Sequence, residues 1–167
     1  MILEVYRCVH PPGGEIEIPR WRIDPYAIVI GGNINDAADW EQLRVRHGVN
    51  CCISADPTPD GSGVVPPERL CRVFVEDAGA PYSTETLSCL RDSWHAWGAD
   101  ARPYIHCHMG RSRSPAFAYA WLRLCGLDRY QAVGLISANN PWGPYPYPGE
   151  FQSNYLGSID AWLDGTR

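Results

Sequence analysis

The chain has 167 residues, of which 45% are hydrophobic and 20% are charged, and its formal net charge is -5 at pH 7. This composition is typical of one globular domain and excludes a disordered chain, which would carry fewer apolar residues. The negative charge excludes a global basic field for nucleic acid, and all 14 cationic side chains are arginine, whose planar fork suits phosphate.

Strand and helix patterns alternate along the chain after an N-terminal extension, residues 1–22. The Pro- and Gly-rich stretch 8–20 is predicted to be irregular, and the extension either adds an edge strand or covers the site. Residues 23–167 are predicted to form one domain. From apolar runs and helix-capping residues, the predicted strands are 27–30, 49–54, 70–75 and 103–106, and the predicted helices are 36–47, one that begins at Ser83 or Thr84, 114–125, 128–138 and 150–163.

This alternation predicts an α/β fold, a single domain whose central, mainly parallel sheet of four to five strands is covered by helices on both faces. Ligands bind such sheets at the carboxyl ends of the strands. The polar, glycine-containing turn 107–113 directly follows the fourth predicted strand. We therefore expect the functional site at this turn.

The first residues, the apolar stretches and the cysteines indicate where the protein is expected to reside. Its first residues, MILEVYRCVHPPGG, lack a charged start followed by an apolar run, which argues against a secretory signal. No stretch approaches the roughly 20 apolar residues that cross a bilayer, and no membrane anchor is expected. The seven cysteines are scattered and odd in number, which favours a reducing cytoplasm over a disulfide framework.

The turn lies within the sequence HCHMGRSRSP at 106–115, in which Arg113 follows Cys107 by six residues. In a chain of this composition about 0.6 such pairs are expected by chance, and the spacing by itself is therefore weak evidence for a functional motif. Requiring His106 before the cysteine and Gly110 within the turn lowers the expectation to roughly 0.002. The combination therefore indicates a functional loop.

The chemistry of phosphate transfer explains these residue types. A short loop between a strand and a helix turns several backbone N–H groups toward one point, where they form an anion site with the helix N-terminus. Arg113 is able to hold two phosphate oxygens, and the positive surroundings favour a Cys107 thiolate, the nucleophile for a covalent phosphoenzyme. The residues expected around the phosphate are His108, Met109, Gly110, Arg111, Ser112 and Arg113.

The segment HCHMGRSRSP resembles the signature of the protein tyrosine phosphatase superfamily, His-Cys-x5-Arg-Ser/Thr, and is most similar to that of small dual-specificity phosphatases. The resemblance marks residues 23–167 as a catalytic domain. It implies Cys107 as nucleophile and Arg113 as phosphate ligand. It also implies that Ser114 hydrogen-bonds the cysteine sulfur and that His106 orients the loop through its backbone.

A metal site at His106, Cys107 and His108 is the competing interpretation of the loop. Adjacent residues on a strand point to opposite faces, and no compact second pair of ligands is visible in the sequence. We therefore expect neither a metal nor another cofactor.

The resemblance also implies an Asp, about thirty residues before the cysteine, that protonates the leaving oxygen. Asp77 stands 30 residues before Cys107 and follows a predicted strand, which makes it the candidate general acid and, in the second step, base. Glu76 is the alternative, and Asp56 and Asp60 in the preceding loop have less support. The Trp-Pro-Asp form of this loop is absent, which fits a small dual-specificity enzyme.

Two groups of side chains bear on the substrate. His108 and Arg111 occupy loop positions where phosphoinositide phosphatases of the superfamily carry basic residues that bind extra phosphates. Alternatively, both side chains only line the rim of the site and are solvated there. Trp142, Tyr145 and Tyr147, on the Pro-rich loop before the last helix, either wall a pocket for a phosphotyrosine ring or pack against their own domain.

The remaining cysteines allow two interpretations. Cys51 and Cys52 are adjacent on a predicted strand, where simple core packing accounts for them. Alternatively, Cys52 or Cys71 forms a protective disulfide with oxidised Cys107.

The sequence therefore predicts a cysteine-dependent phosphomonoester hydrolase that acts on a phosphorylated protein or peptide as a tyrosine or dual-specificity phosphatase. The alternative substrates are a phosphoinositide or an RNA 5′ phosphate, and nucleic acid is otherwise not an expected partner. The non-enzymatic alternative is a phosphate-binding module that has lost catalysis.

Overall fold

The computed structural model describes residues 2–10, 14–56, 63–73, 75–147 and 152–166. Within these ranges the strands are β1 (Ile2–His10), β2 (Gly14–Ile23), β3 (Ile28–Gly31), β4 (Cys51–Ser54), β5 (Leu70–Arg72) and β6 (Pro103–His106). The α-helices are α1 (Ala37–His47), α2 (Thr84–Trp97), α3 (Arg113–Leu124), α4 (Arg129–Asn139) and α5 (Gln152–Gly165), and a short 3-10 turn spans Pro67–Arg69.

The strands form one sheet in the order β1-β2-β3-β6-β4-β5, in which β3, β6, β4 and β5 are parallel neighbours. Successive side chains on a strand face opposite sides of the sheet. Val29 and Tyr104 accordingly pack toward α1, whereas Ile30 and Ile105 pack toward the layer of α2, α3, α4 and α5. The predicted α/β fold with helices on both faces is therefore confirmed.

The N-terminal part of the chain differs from the prediction. Of the residues predicted to be irregular, 8–10 end β1 and 14–20 belong to β2; this antiparallel pair of strands, called the hairpin below, brings the sheet to six. Ile18, Trp21 and Ile23 of β2 are buried in the core. The alternating Glu and Ile residues of β2 form a strand pattern that the flanking Pro and Gly residues obscure. The extension thus supplies strands, and β2 continues across residue 22.

The helix ends follow the capping residues read from the sequence. Asp36 caps α1 by accepting a hydrogen bond from the Asp39 amide at 2.8 Å, and Gly48 ends the helix in the left-handed conformation. The Ser83 hydroxyl accepts a hydrogen bond from the backbone of α2, and Asp128 forms a capping box at the start of α4. No helix within the described ranges is long and apolar enough to cross a membrane.

The strand predicted at 70–75 is shorter than expected. β5 ends at Arg72, although the Val73 amide still donates a hydrogen bond to the Ser54 carbonyl of β4 at 2.9 Å. The carbonyl of Val75 accepts a hydrogen bond from the Arg113 side chain, which ties the segment after β5 to the start of α3. The predicted beginning of α5 at residue 150 lies outside the described residues, and the helix is seen from Gln152.

Candidate active site

The loop 107–113 joins the carboxyl end of β6 to the N-terminus of α3, at the edge of the sheet where Gly31 and Ser54 flank His106. Gly110 has a φ of 66°, a conformation that side chains rarely adopt. A Cβ atom on Gly110 would also lie 2.8 Å from the backbone carbonyl of Gly31. Glycine at this position therefore lets the loop curl tightly against the end of β3.

The loop borders a cavity of about 290 Å³ that brings the three principal predicted residues together. Cys107, Arg113 and Asp77 all line it, although Asp77 comes from the segment after β5. α3 begins at Arg113, which lines this cavity, and a helix N-terminus favours an anion beside it. The other lining residues are His108, Met109, Arg111, Ser112 and Gln152.

Arg113 is held from behind by backbone carbonyls. Its Nη1 donates to the carbonyl of Val75 at 3.1 Å and to that of Ala55 at 3.5 Å. The side chain is only 9% exposed, and its buried Nε has no hydrogen-bond partner among the described residues. A buried guanidinium N–H without a partner is costly, and an anionic oxygen in the adjoining cavity would satisfy it.

Asp77 lies at the mouth of the cavity and is held by two hydroxyl groups. The Ser112 hydroxyl donates to its Oδ1 at 2.7 Å, and the Tyr155 hydroxyl donates to the same oxygen at 3.0 Å. Burial, together with the hydrogen bond to Asp77, raises the pKa of Tyr155 to about 12. Tyr155 therefore stays a neutral donor at physiological pH.

Ser114 does not make the contact that the resemblance implies. Its hydroxyl oxygen is buried and has no hydrogen-bond partner within the described part of the chain, which includes Cys107. The side chain therefore lies in the first turn of α3 without a bond to the cysteine sulfur in this conformation.

Solved structures with similar folds include phosphatases from animals. Human DUSP28 is 24% identical with a TM-score of 0.61, and the match covers 95% of this chain and 97% of that chain. A Tyr-to-His variant of human DUSP28 is 27% identical over 89% of this chain and 98% of that chain, with a TM-score of 0.59. PTPMT1 is 16% identical over 87% of this chain and 94% of that chain, with a TM-score of 0.65.

The chain has the dual-specificity phosphatase fold of the protein tyrosine phosphatase superfamily. Models of known protein families and curated protein sequences give no match. The similar structures include those of phosphatases, and this likeness is one of fold.

Within this phosphatase fold, a chain of polar side chains supports the first half of the loop. The ring Nδ1 of buried His106 lies 3.2 Å from the Asn33 amide oxygen, and the Asn33 amide donates to Asp56 at 3.3 Å. The Asp56 carboxylate in turn lies 3.3 Å from Nδ1 of His108. Asp56 is therefore buried as a partner of the loop and does not line the cavity, while Asp60 lies outside the described residues.

The aromatic residues before α5 support the loop rather than wall the cavity. Tyr145 and Tyr147 are buried, and none of the three aromatic side chains from this segment is among the cavity-lining residues. The Tyr147 hydroxyl donates to the backbone carbonyl of Arg111 at 3.0 Å, and the Arg111 guanidinium lies 5.0 Å from the centre of the Tyr147 ring. Of the two interpretations of this segment, packing against the domain therefore describes Tyr145 and Tyr147.

The proposed disulfide partners of Cys107 are placed elsewhere. Cys52 faces the α1 side of the sheet, opposite to Cys107. Cys71 is on the same side as Cys107 but two strands away, because Ile53 pairs with both Cys71 and Ile105; this separation is roughly 10 Å and exceeds disulfide reach. The Cys71 sulfur instead lies 3.8 Å from that of Cys89, and burial raises the pKa of Cys71 to about 12.

The alternative interpretation of the loop as a metal site requires a cluster of ligating side chains around His106, Cys107 and His108. Within the described ranges, no group of three or more His, Cys, Asp or Glu side chains is arranged to hold a metal ion. His106 instead contacts Asn33, and His108 contacts Asp56.

Several side chains at the site have no signature in the sequence. Tyr155 and Gln152 come from α5, and Asn33 comes from the turn after β3. The Gln152 amide donates to the Ser112 hydroxyl at 3.4 Å and so orients a side chain that contacts Asp77. The sequence predicts the last helix, but this prediction does not indicate which of its side chains face the loop.

Proposed function

We propose that this chain is a phosphomonoester hydrolase that works through a phosphocysteine intermediate. The observation that carries the proposal is the shared cavity of about 290 Å³, lined by the Cys107 thiol, the Arg113 guanidinium and the Asp77 carboxyl. A nucleophile, an anion ligand and a proton donor are the three groups that this reaction requires. The likeness to solved phosphatases supports the same conclusion.

In the first step, the Cys107 thiolate attacks phosphorus, a sulfur–phosphorus bond forms, and the bond to the leaving oxygen breaks. Asp77 transfers a proton to that oxygen as it departs. Arg113 and the loop amides stabilise the charge on the phosphoryl oxygens in the transition state. In the second step, water attacks the phosphocysteine, Asp77 accepts its proton, and Cys107 leaves as a thiolate with release of inorganic phosphate.

The proposed substrate is a phosphorylated protein or peptide. Of the two basic side chains that would bind further phosphates, His108 contacts Asp56 and Arg111 lies over the Tyr147 ring, and these contacts compete with a polyphosphorylated ligand. Met109, which is 39% exposed beside Cys107, offers an apolar surface to a phosphotyrosine ring. PTPMT1 has been solved in complex with PI(5)P, which keeps a phosphoinositide as the alternative substrate.

Hydrolysis of p-nitrophenyl phosphate in the presence of a metal chelator tests the reaction. We expect turnover by the unaltered protein, loss of turnover in Cys107→Ser, and full activity in Cys125→Ser. Cys125 is a suitable control because it is exposed and follows the end of α3 remote from the loop. Equal activity in the first two proteins would contradict a covalent mechanism. Inactivity of the unaltered protein with retained vanadate binding would instead favour the phosphate-binding module.

A substrate panel separates the enzymatic alternatives. It contains phosphotyrosine and phosphoserine peptides, PI(5)P in phosphatidylcholine vesicles, and 5′-triphosphorylated RNA. We expect the highest kcat/KM for the phosphotyrosine peptides. A higher value for the vesicles or the RNA would overturn the proposed substrate class and leave the phosphocysteine mechanism standing.

A further inference from the structure

Both hydroxyl groups that hold Asp77 bind the same carboxylate oxygen. Oδ1 accepts from Ser112 at 2.7 Å and from Tyr155 at 3.0 Å. A carboxyl group carries its transferable proton on one oxygen only, and an oxygen that accepts two hydrogen bonds is a poor site for it. The proton of a protonated Asp77 is therefore directed to Oδ2.

Tyr155 is itself held firmly on α5. Its ring stacks on Tyr82 at a centroid distance of 4.6 Å, and Tyr82 stacks on Phe117 at 4.8 Å. The Tyr155 hydroxyl accepts a hydrogen bond from the Gly79 amide at 3.1 Å, which leaves its own hydrogen directed at Asp77. The aromatic stack therefore fixes the position of the donor, and Gly79 fixes its orientation.

The helix that carries Tyr155 also binds the rest of the acid-bearing segment. Asn154 donates to the carbonyl of Gly79 at 2.9 Å, and the Ser158 hydroxyl accepts from the Tyr82 amide at 3.0 Å. Among these contacts, the bond from Tyr155 is the one that reaches the carboxylate. The other two hold the backbone and leave the direction of the Asp77 side chain unspecified.

We propose that Tyr155 is a positioning residue for Asp77, holding Oδ1 so that Oδ2 carries the proton given to the leaving oxygen. The inference rests on the proposed function, in which Asp77 is the general acid. Oδ1 accepts the same two hydrogen bonds when Asp77 is ionised, and the same geometry serves the second step, when Oδ2 takes a proton from water. Tyr155 exchanges no proton in either step.

The variant Tyr155→Phe tests the proposal because it keeps the ring stack and removes only the hydroxyl. Proton donation matters for a poor leaving group and hardly for a good one. We expect kcat/KM, which reports formation of the phosphocysteine and not its hydrolysis, to fall about 10-fold with phenyl phosphate and less than about twofold with 2,4-dinitrophenyl phosphate. The matched control is Tyr82→Phe in the same stack, whose buried hydroxyl has no partner among the described residues, and it should retain both rates.

Equal losses with the two esters, or an unchanged rate with phenyl phosphate, would overturn the positioning role. Amide hydrogen exchange of Gly79 gives a second measurement that does not depend on activity. Exchange should accelerate in Tyr155→Phe and stay unchanged in Tyr82→Phe; unchanged exchange in Tyr155→Phe would also overturn the proposal. If the unaltered protein hydrolyses neither ester, the proposed function fails, and faster Gly79 exchange would show that Tyr155 holds this segment for another purpose.

Discussion

At the scale of single residues, the structure separates two neighbouring carboxyl groups that the sequence leaves as alternatives. Asp77 lines the cavity and is held there by Ser112 and Tyr155, whereas Glu76 does not line it, although both side chains are exposed. The two side chains are otherwise similar in charge and adjacent in the chain. A comparison of their variants therefore isolates the effect of position.

We predict that Asp77→Ala lowers kcat for phenyl phosphate about 100-fold, because the leaving oxygen then departs without a proton. Glu76→Ala should retain kcat within about twofold, since its side chain does not reach the cavity. Steady-state kinetics with purified variants measures both values. An unchanged kcat in Asp77→Ala together with a strongly reduced kcat in Glu76→Ala would assign the general acid to Glu76 instead.

Site residues that lie close together in the sequence could be predicted, whereas contacts between residues far apart in the sequence could not. Cys107 and Arg113 belong to one strand–loop–helix unit, and their spacing and the intervening glycine point to the site. Tyr155 stands 78 residues from the Asp77 that it contacts, and no local pattern links the two. Ser114 shows the opposite case, since its place in the motif implies a contact that this conformation lacks.

At the scale of secondary structure elements, the close approach of the loop to β3 determines what position 110 tolerates. The left-handed conformation of Gly110 costs a side chain roughly 1–2 kcal/mol, and contact with the Gly31 backbone adds to this. Gly134 in α4 offers a contrast, because a Cβ atom there meets nothing within 4 Å.

Gly110→Ala should therefore lower the free energy of unfolding by about 2 kcal/mol and weaken vanadate binding at least tenfold, because the loop amides no longer converge. Gly134→Ala should instead raise the free energy of unfolding by about 0.5–1 kcal/mol, since alanine is the better helix former. Urea denaturation and vanadate inhibition measure the two effects. Similar behaviour of both variants would show that the loop relaxes around the added methyl group.

The elements themselves were predictable to different degrees for physical reasons. The starts of α1, α2 and α4 follow from Asp36, Ser83 and Asp128, because a cap is a local hydrogen bond. For the N-terminal extension the sequence indicates an edge strand only as one of two alternatives, because the hairpin of β1 and β2 is stabilised by pairing with β3 and by buried residues such as Trp21. Pro and Gly indicate a turn locally and do not reveal the strands on either side of it.

At the scale of the whole molecule, the hairpin and the parallel part of the sheet are joined by a buried arginine. Arg20 on β2 is 1% exposed and forms ion pairs with Glu4 on β1 at 3.1 Å and with Asp39 on α1 at 2.7 Å. Its guanidinium also lies 3.6 Å from the centre of the Tyr6 ring. The Tyr6 hydroxyl accepts from the Gly32 amide at 2.6 Å, and Gly32 lies against the backbone of the loop 107–113 at His108.

We predict that Arg20→Met lowers the free energy of unfolding by about 3 kcal/mol at pH 7, because the partly buried carboxylates of Glu4 and Asp39 each lose their buried ion-pair partner. The matched control is Arg7→Met on the same hairpin, whose side chain is 71% exposed and pairs with Glu15 and Glu17 only at the surface. That control should lose less than about 1 kcal/mol. Equal losses in urea denaturation would mean that burial adds nothing to the pairing of Arg20.

The pH dependence of the stability of Arg20→Met tests whether its loss of stability comes from charge. Burial acts to raise the pKa of Glu4, but hydrogen bonds and charge from Arg20 and His47 outweigh it and hold the pKa below its ordinary value. A carboxyl with a depressed folded-state pKa stabilises the protein above its unfolded pKa, and that contribution is lost as the pH falls through the folded value. The deficit of Arg20→Met relative to the unaltered protein should therefore be largest at pH 7 and shrink below about pH 4. A deficit that stays constant over this range would assign the role of Arg20 to packing against Tyr6 rather than to charge.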